Sequence, residues 1–307
     1  MMTPASPYRI FAVLWIASLG IWWPAVAATL ALALRQDAYT HILLILPISI
    51  TLIVLEWKKQ AWKPVPSIRA GSLVLVVAVL IGVGGLRWGR ADIFTGDVRL
   101  AIEMLALVTW WIGSFVACFG GRVFRACVFP LFFLLWLIPM PEIALNHIVA
   151  LLQIGTASLT RLMLATVGVP VAQDGTILTI PGLRLEIAQE CSSIRSSMML
   201  IVSSMVMSYV LLRSYWGRGV VILAALPLAI FKNGLRVFTL AVLGAYVSPE
   251  VLNSPLHHQG GVLFLAVSLL GIFALIWLMG KAERVIGVAV GQADLASPAS
   301  RHRLAPN

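Results

Sequence analysis

This 307-residue chain has little charge: only 11% of its residues are Asp, Glu, Lys or Arg, and the acids are the scarcer sign, 12 against 22 Lys and Arg. Hydrophobic residues fill 60% of it, above the roughly 45–50% usual for soluble domains, and the mean hydropathy is +0.97. No polar stretch between or after the apolar runs is long enough for a soluble domain of useful size, and no internal repeat or low-complexity tract appears. A soluble enzyme is thereby excluded. Cysteine is also scarce: three residues, with no CxxC and no Cys/His metal spacing. Neither a disulfide framework nor a zinc site is indicated, and no metal or organic cofactor is expected. The formal charge of +10 falls mostly in short loops between apolar runs. That pattern is membrane topology, so no nucleic-acid partner is expected and lipid is the surrounding medium.

What is present is a succession of apolar runs long enough to cross a bilayer. The expected fold is an all-α polytopic membrane protein of about eight transmembrane helices, with an interfacial amphipathic helix and a short β-hairpin on the outer face. The expected spans are Ile10–Leu34, His41–Leu55, Gly71–Leu86, Leu100–Phe119, Val123–Ile138, Cys191–Leu212, Gly219–Val247 and Leu256–Gly280. The first is too long, and too well followed by others, for a cleaved signal peptide. Residues 1–290 are read as a single integral membrane domain, and 291–307, rich in Ala, Ser, Pro and Arg, as a disordered cytoplasmic tail.

A ninth stretch, Asn146–Gly168, is long enough to cross but carries His147, Gln153, Thr156, Ser158, Thr160, Arg161 and Thr166. Short cytoplasmic loops carry an excess of Lys and Arg. With eight spans, an inside N-terminus and this stretch lying flat outside, the inside segments hold Arg9, Lys58, Lys59, Lys63, Arg69, Arg122, Arg125, Arg213, Arg218, Lys281, Arg284, Arg301 and Arg303; the outside holds Arg35, Arg87, Arg90, Arg99, Arg161 and Arg184. A crossing would move Arg213, Arg218 and the basic tail outside. The bias therefore favours an amphipathic helix on the outer face. After it, Asp174-Gly175 and Pro181-Gly182 punctuate short Ile-, Leu- and Thr-rich runs, which read as a β-hairpin. Its unpaired backbone belongs at an aqueous surface, as a connector or as a lid.

Three polar groups stand at the outer ends of the later spans. Glu190-Cys191-Ser192-Ser193-Ile194-Arg195-Ser196-Ser197 opens the sixth span. A thiol at a helix start is stabilised as thiolate by the helix dipole and by Arg195, while Glu190 opposes this, so the net sign stays open. Cys118 and Cys127 read as small buried hydrophobes. Lys232-Asn233-Gly234-Leu235-Arg236 lies inside the seventh span, where Arg236 falls about 25 Å from Gly219, in the outer leaflet. It either snorkels to headgroups or faces a pocket; its permanently charged fork suits an oxyanion. His257-His258 opens the eighth span after Ser254-Pro255, an N-cap followed by proline at the first helical position. A neutral imidazole there exchanges protons with a thiol and a leaving amine, unless it is merely solvated. His41 and His147 lie on the same side without comparable company.

Glu190-Cys191-Ser192-Ser193-Ile194-Arg195, Asn233-Gly234-Leu235-Arg236, and His257 with Gly261 four residues on resemble the exosortase/archaeosortase family, in order as well as in motif. The likeness covers roughly Leu137 to Gly280. It implies a membrane cysteine transpeptidase or protease that cuts C-terminal sorting tails, in which a Pro-Glu-Pro motif precedes a transmembrane helix and a basic end. It also implies Cys191 as nucleophile, Arg236 as essential arginine and His257 as general base, with Arg195, Asn233 and His258 as supporting or alternative residues. The implied setting is the inner membrane of an exopolysaccharide-producing bacterium, with the active site at the periplasmic face and an amine acceptor of unknown identity. Ser193 stands where the commoner pattern has glycine, and the adjacency of His257 and His258 leaves the base open between them. Two rival readings remain: a polysaccharide or lipid export component, and an assembly protein that only binds tails.

Overall fold

The computed structural model describes residues 6–59, 62–88, 96–187, 194–246 and 255–296, with the side chains of 86–88, 255–262 and 286–296 excluded. Contacts divide the chain into two compact units, Met1–Ile148 and Val149–Asn307. Among the described residues, seven helices are long and apolar enough to cross a membrane, or eight if one bent pair counts as a single span.

In the first unit that bent pair is α1 (Pro7–Ile21) and α2 (Trp23–Arg35), meeting at 74°. The expected continuous span Ile10–Leu34 breaks because Pro24 has no N–H to give and its ring collides with the carbonyl four residues back. Trp111 Nε1 donates to Ser18 Oγ at 2.9 Å, fastening α1 to α5 (Gly96–Ala126). After α3 (Ile42–Lys59), α4 (Ile68–Trp88) and α5 (Gly96–Ala126) pack antiparallel. Glycines make their close approach possible: a Cβ at Gly71 would overlap the Ala117 backbone, and one at Gly113 would lie 3.0 Å from Leu75 N. Inside α5, Gly120 takes φ 82 and kinks the helix, with its Cα hydrogens against the Val65 carbonyl.

The expected fifth span, Val123–Ile138, is corrected here: it is not one helix. α5 stops at Ala126 because Pro130 cannot continue it. The chain goes on as α6 (Val128–Phe133) and a 3₁₀ turn, Leu134–Leu137, beside α3. It then runs through Met140, whose carbonyl accepts from Tyr39 Oη at 2.7 Å. Glu142 N donates to Asp97 Oδ2 at 2.7 Å, so the chain is back at the end of α5 where that helix began. Ten helical residues and four extended ones reach about 30 Å, a hydrocarbon thickness.

From that end starts α7 (Glu142–Thr166), where an amphipathic helix was expected at Asn146–Gly168. Its 25 residues include an 18-residue window of mean hydropathy 1.6, enough to cross by length and composition. Its buried stripe of Val149, Leu152, Thr156, Thr160 and Leu164 follows the helical period. Gly168, with φ 78, ends it: Val169 N reaches Leu164 O and Gly168 N reaches Ala165 O, which together satisfy the last carbonyls.

The two punctuation points in the next stretch are both turns, so three antiparallel strands form in the order β1 (Ala172–Asp174), β2 (Ile177–Ile180), β3 (Leu183–Glu186). Pro181 and Gly182, the latter at φ 78, suit the second turn, which needs a positive φ after proline. Leu178 and Ile180 of the sheet, with Ile187 just after it, are buried on Ala157 and Leu164 of α7 and on Val237 and Ala241 of α9 (Tyr215–Tyr246). α8 (Ile194–Leu211), α9 (Tyr215–Tyr246) and α10 (Pro255–Ala296) pack on one another. Buried Ser197, Ser204 and Ser208 of α8, and Ala225 and Ala229 of α9, keep the helices close. At one end of this trio Glu283 of α10 accepts from Arg213 N and Ser214 N at 3.2 and 2.9 Å, a carboxylate seated ahead of α9 where the helix dipole favours it. α10 runs to Ala296, into the segment expected as a tail.

Candidate active site

Lys232, Asn233 and Arg236 lie within about one turn of α9, and all three are buried, at 3%, 0% and 7% exposure. Lys232 and Arg236 are the buried Lys and Arg side chains among the described residues, so the burial of full cations is concentrated at this one place. Charge in apolar surroundings is costly unless it is bonded, and such sites are functional by default. Lys232 Nζ donates to Ser196 Oγ, a buried hydroxyl on the first turn of α8. Next to it the Ser197 hydroxyl is buried too, while Arg195 is exposed.

α7 closes the other side of this stretch. Thr160 Oγ1 donates to Gly234 O at 3.3 Å, and a Cβ at Gly234 would come within 3.0 Å of Leu159. Gly155 meets Ile230 in the same way. Glycine therefore lets α7 approach the α9 backbone beside Asn233. Gln153 Nε2 donates to Ile187 O at 2.9 Å, pinning the residue after β3.

Of the sequence candidates, the structure brings Asn233 and Arg236 into one buried cluster at the start of α8. Cys191, with Glu190, lies outside the described residues. His257 and His258 fall on the first turn of α10, but their side chains lie outside the description. That turn begins at Pro255, the first helical position expected for it. Gly217 lies against Glu283 and Gly271 against Leu228, and this antiparallel register sets Arg236 level with about Phe264. The first turn of α10 is then about two helical turns farther along, ~10 Å.

Lys232 is the residue that sequence reading passed over as a site member. Its presence beside Asn233 argues against a purely snorkelling Arg236, but the sequence names no partner for it; its bond to Ser196 does. The other titratable candidates have local roles. His41 Nδ1 is 3.0 Å from Ala38 O and its ring stands on Trp136. His147 Nδ1 is 2.6 Å from Ile143 O. Cys118 and Cys127 are buried, at 5% and 0%. Among the described residues no group of His, Cys, Asp and Glu is arranged to hold a metal.

The fold and this cluster define a class: a multi-pass helical membrane protein with a buried cationic site at the junction of two spans and a small sheet. A family model described as transmembrane exosortase (Exosortase_EpsH) matches residues 31–274. The chain belongs to the transmembrane exosortase family. No curated protein and no solved structure matches it.

Proposed function

We propose that the protein is a membrane cysteine transpeptidase or protease that cleaves and sorts C-terminally tailed exported proteins, with Cys191 as nucleophile. One observation carries this reading. Ile187 packs on Val237 and Ser196 is bonded to Lys232, so both flanks of the Cys191 segment are fastened to the part of α9 that holds Asn233 and Arg236. Cys191 stands three residues ahead of Ile194, and three residues of chain span at most about 11 Å.

The Cys191 thiolate attacks the scissile peptide carbonyl, and the carbonyl oxygen becomes an oxyanion that the Arg236 guanidinium stabilises. Collapse of the tetrahedral adduct breaks the C–N bond. The leaving amine takes a proton from the His257 imidazolium, which had received it from the thiol. The thioester passes its acyl group to an amine acceptor or to water, whose proton His257 removes, and the thiol is regenerated. His258 is the alternative base. Arg195 and Lys232 add positive charge at the start of α8, which favours the thiolate.

The charge distribution supports an inner-membrane protein whose active site faces the periplasm. Thirteen basic residues fall on the proposed inside and six on the proposed outside, when α7 lies along the outer interface. By family likeness the substrates are C-terminal sorting tails of the Pro-Glu-Pro kind and the setting is exopolysaccharide production. Export of polysaccharide or lipid would call for ionisable groups spread across the membrane; here the buried cations sit together. The test is the size of a co-expressed tailed substrate in cells carrying wild type, Cys191→Ala or Cys191→Ser. Processing is expected to stop with both variants. Unchanged processing with Cys191→Ala would overturn the proposal.

A further inference from the structure

Among the described residues the outer edge of β3 is unpaired, and the residue after the strand, Ile187, packs on Val237 beside Arg236. In the β2/β3 ladder, Ile187 N donates to Thr176 O, and Leu178 pairs with Leu185 and Ile180 with Leu183. Alternate residues of an antiparallel strand turn their N–H and C=O to opposite sides. Leu183, Leu185 and Ile187 thus bond inward to β2, while Arg184 and Glu186 present their N–H and C=O groups outward. No described residue takes up those outward groups. Arg184 and Glu186 are also exposed, whereas Leu183 and Leu185 lean on the cluster around Ala241 of α9. Among the described residues the edge is therefore packed from below and open at its side.

We infer that β3 is the docking strand for the substrate: an extended peptide segment next to the scissile bond adds to the Leu183–Glu186 edge as a fourth strand. This rests on the function proposed above. The occupant follows from continuity. The residue after β3, Ile187, packs on Val237 beside Arg236, and Cys191 follows four residues later in the chain, a reach of at most about 14 Å. A chain paired with β3 has its backbone extended, as attack on a peptide carbonyl needs, and lies at the strand whose end is packed beside Arg236. An exposed edge is a template for any strand. This one is four residues long and flanked by Arg184 and Glu186 of opposite charge, which discourages indiscriminate pairing. A substrate anchored in the same membrane meets it at high effective concentration.

The experiment separates backbone from side chain. Arg184→Pro and Glu186→Pro each delete one outward N–H and leave the β2/β3 ladder intact; Arg184→Ala and Glu186→Ala keep the N–H. With a tailed substrate that the wild type processes, the proline variants should raise KM about tenfold with kcat within about twofold, the size expected from losing a hydrogen bond of ~1.4 kcal/mol. The alanine variants should stay near wild type. Equal effects of proline and alanine, or a fall in kcat at constant KM, would overturn the inference. If a proline variant does not fold, the wild-type chain is offered the same tail with single ester bonds replacing successive amides, and a weakened KM at one or two alternate positions is expected; no position dependence would overturn it. Binding of the intact tail to Cys191→Ala protein and to its Arg184→Pro derivative keeps the two proposals apart. A loss of binding there supports the docking strand even if the thiol proves dispensable for processing.

Discussion

Lys232 and Ser196 carry the most specific residue-scale expectation. Replacing Ser196 with Ala leaves a buried ammonium without its hydroxyl, whereas removing both groups leaves an apolar contact. Hydrogen bonds to charged groups contribute about 1.5–3 kcal/mol, and most of the loss is the unmet partner. Ser196→Ala should therefore lower stability by about that much, and Lys232→Met/Ser196→Ala should lower it less than Ser196→Ala alone; thermal unfolding in detergent reads both. Strict additivity of the single changes would deny the coupling. Arg236→Lys keeps a charge but loses the fork, and is expected to slow processing about 10²–10³-fold at unchanged protein level, the scale of a lost oxyanion donor. Near-normal turnover in Arg236→Lys would leave Arg236 a headgroup anchor.

At the scale of elements, glycines set the geometry that positions the site and the first unit. Gly120 combines φ 82 with a neighbour, the Val65 carbonyl, that leaves no room for a methyl group. Gly120→Ala should cost at least the 1–2 kcal/mol of a left-handed non-glycine residue, visible as a lower unfolding temperature and lower yield in membranes. Gly121→Ala, whose Cβ meets nothing within 4 Å, serves as the control and should cost little. The sequence made the strong elements legible: α3, α4, α8, α9 and the described part of α10 follow their apolar runs, and Pro255 marks the start of α10. It was misleading where proline and glycine act through tertiary context. Pro24 breaks the first run, and Pro130 ends α5 and turns an expected span into a short helix and an extended return. The hairpin became three strands because both Gly175 and Gly182 take positive φ. In the cluster, Arg236 and Asn233 were legible as polar residues in an apolar run. Lys232 was not, since its meaning depends on Ser196, 36 positions away.

For the whole molecule, the question is which side of the membrane the cluster faces, and α7 decides it. It begins beside Asp97 and is long enough to cross, yet a crossing would reverse the side of everything after it. The charge bias supports an α7 that lies along the outer interface. In a chain with Cys118 and Cys127 replaced by Ala, Cys191 should then react with a membrane-impermeant thiol reagent applied to intact spheroplasts. Labelling only after the inner face is opened would place α7 across the bilayer and the site on the inside.

The central claim is a covalent one, an acyl-enzyme on Cys191, and it is most directly met by mass. Purified protein would be incubated with a tailed substrate, quenched, digested and searched for the peptide containing residue 191. The account predicts a substrate fragment joined to Cys191 through a thioester, removed by hydroxylamine and absent from Cys191→Ala. Processing that continues with no adduct on Cys191, or with the adduct on another side chain, would contradict it.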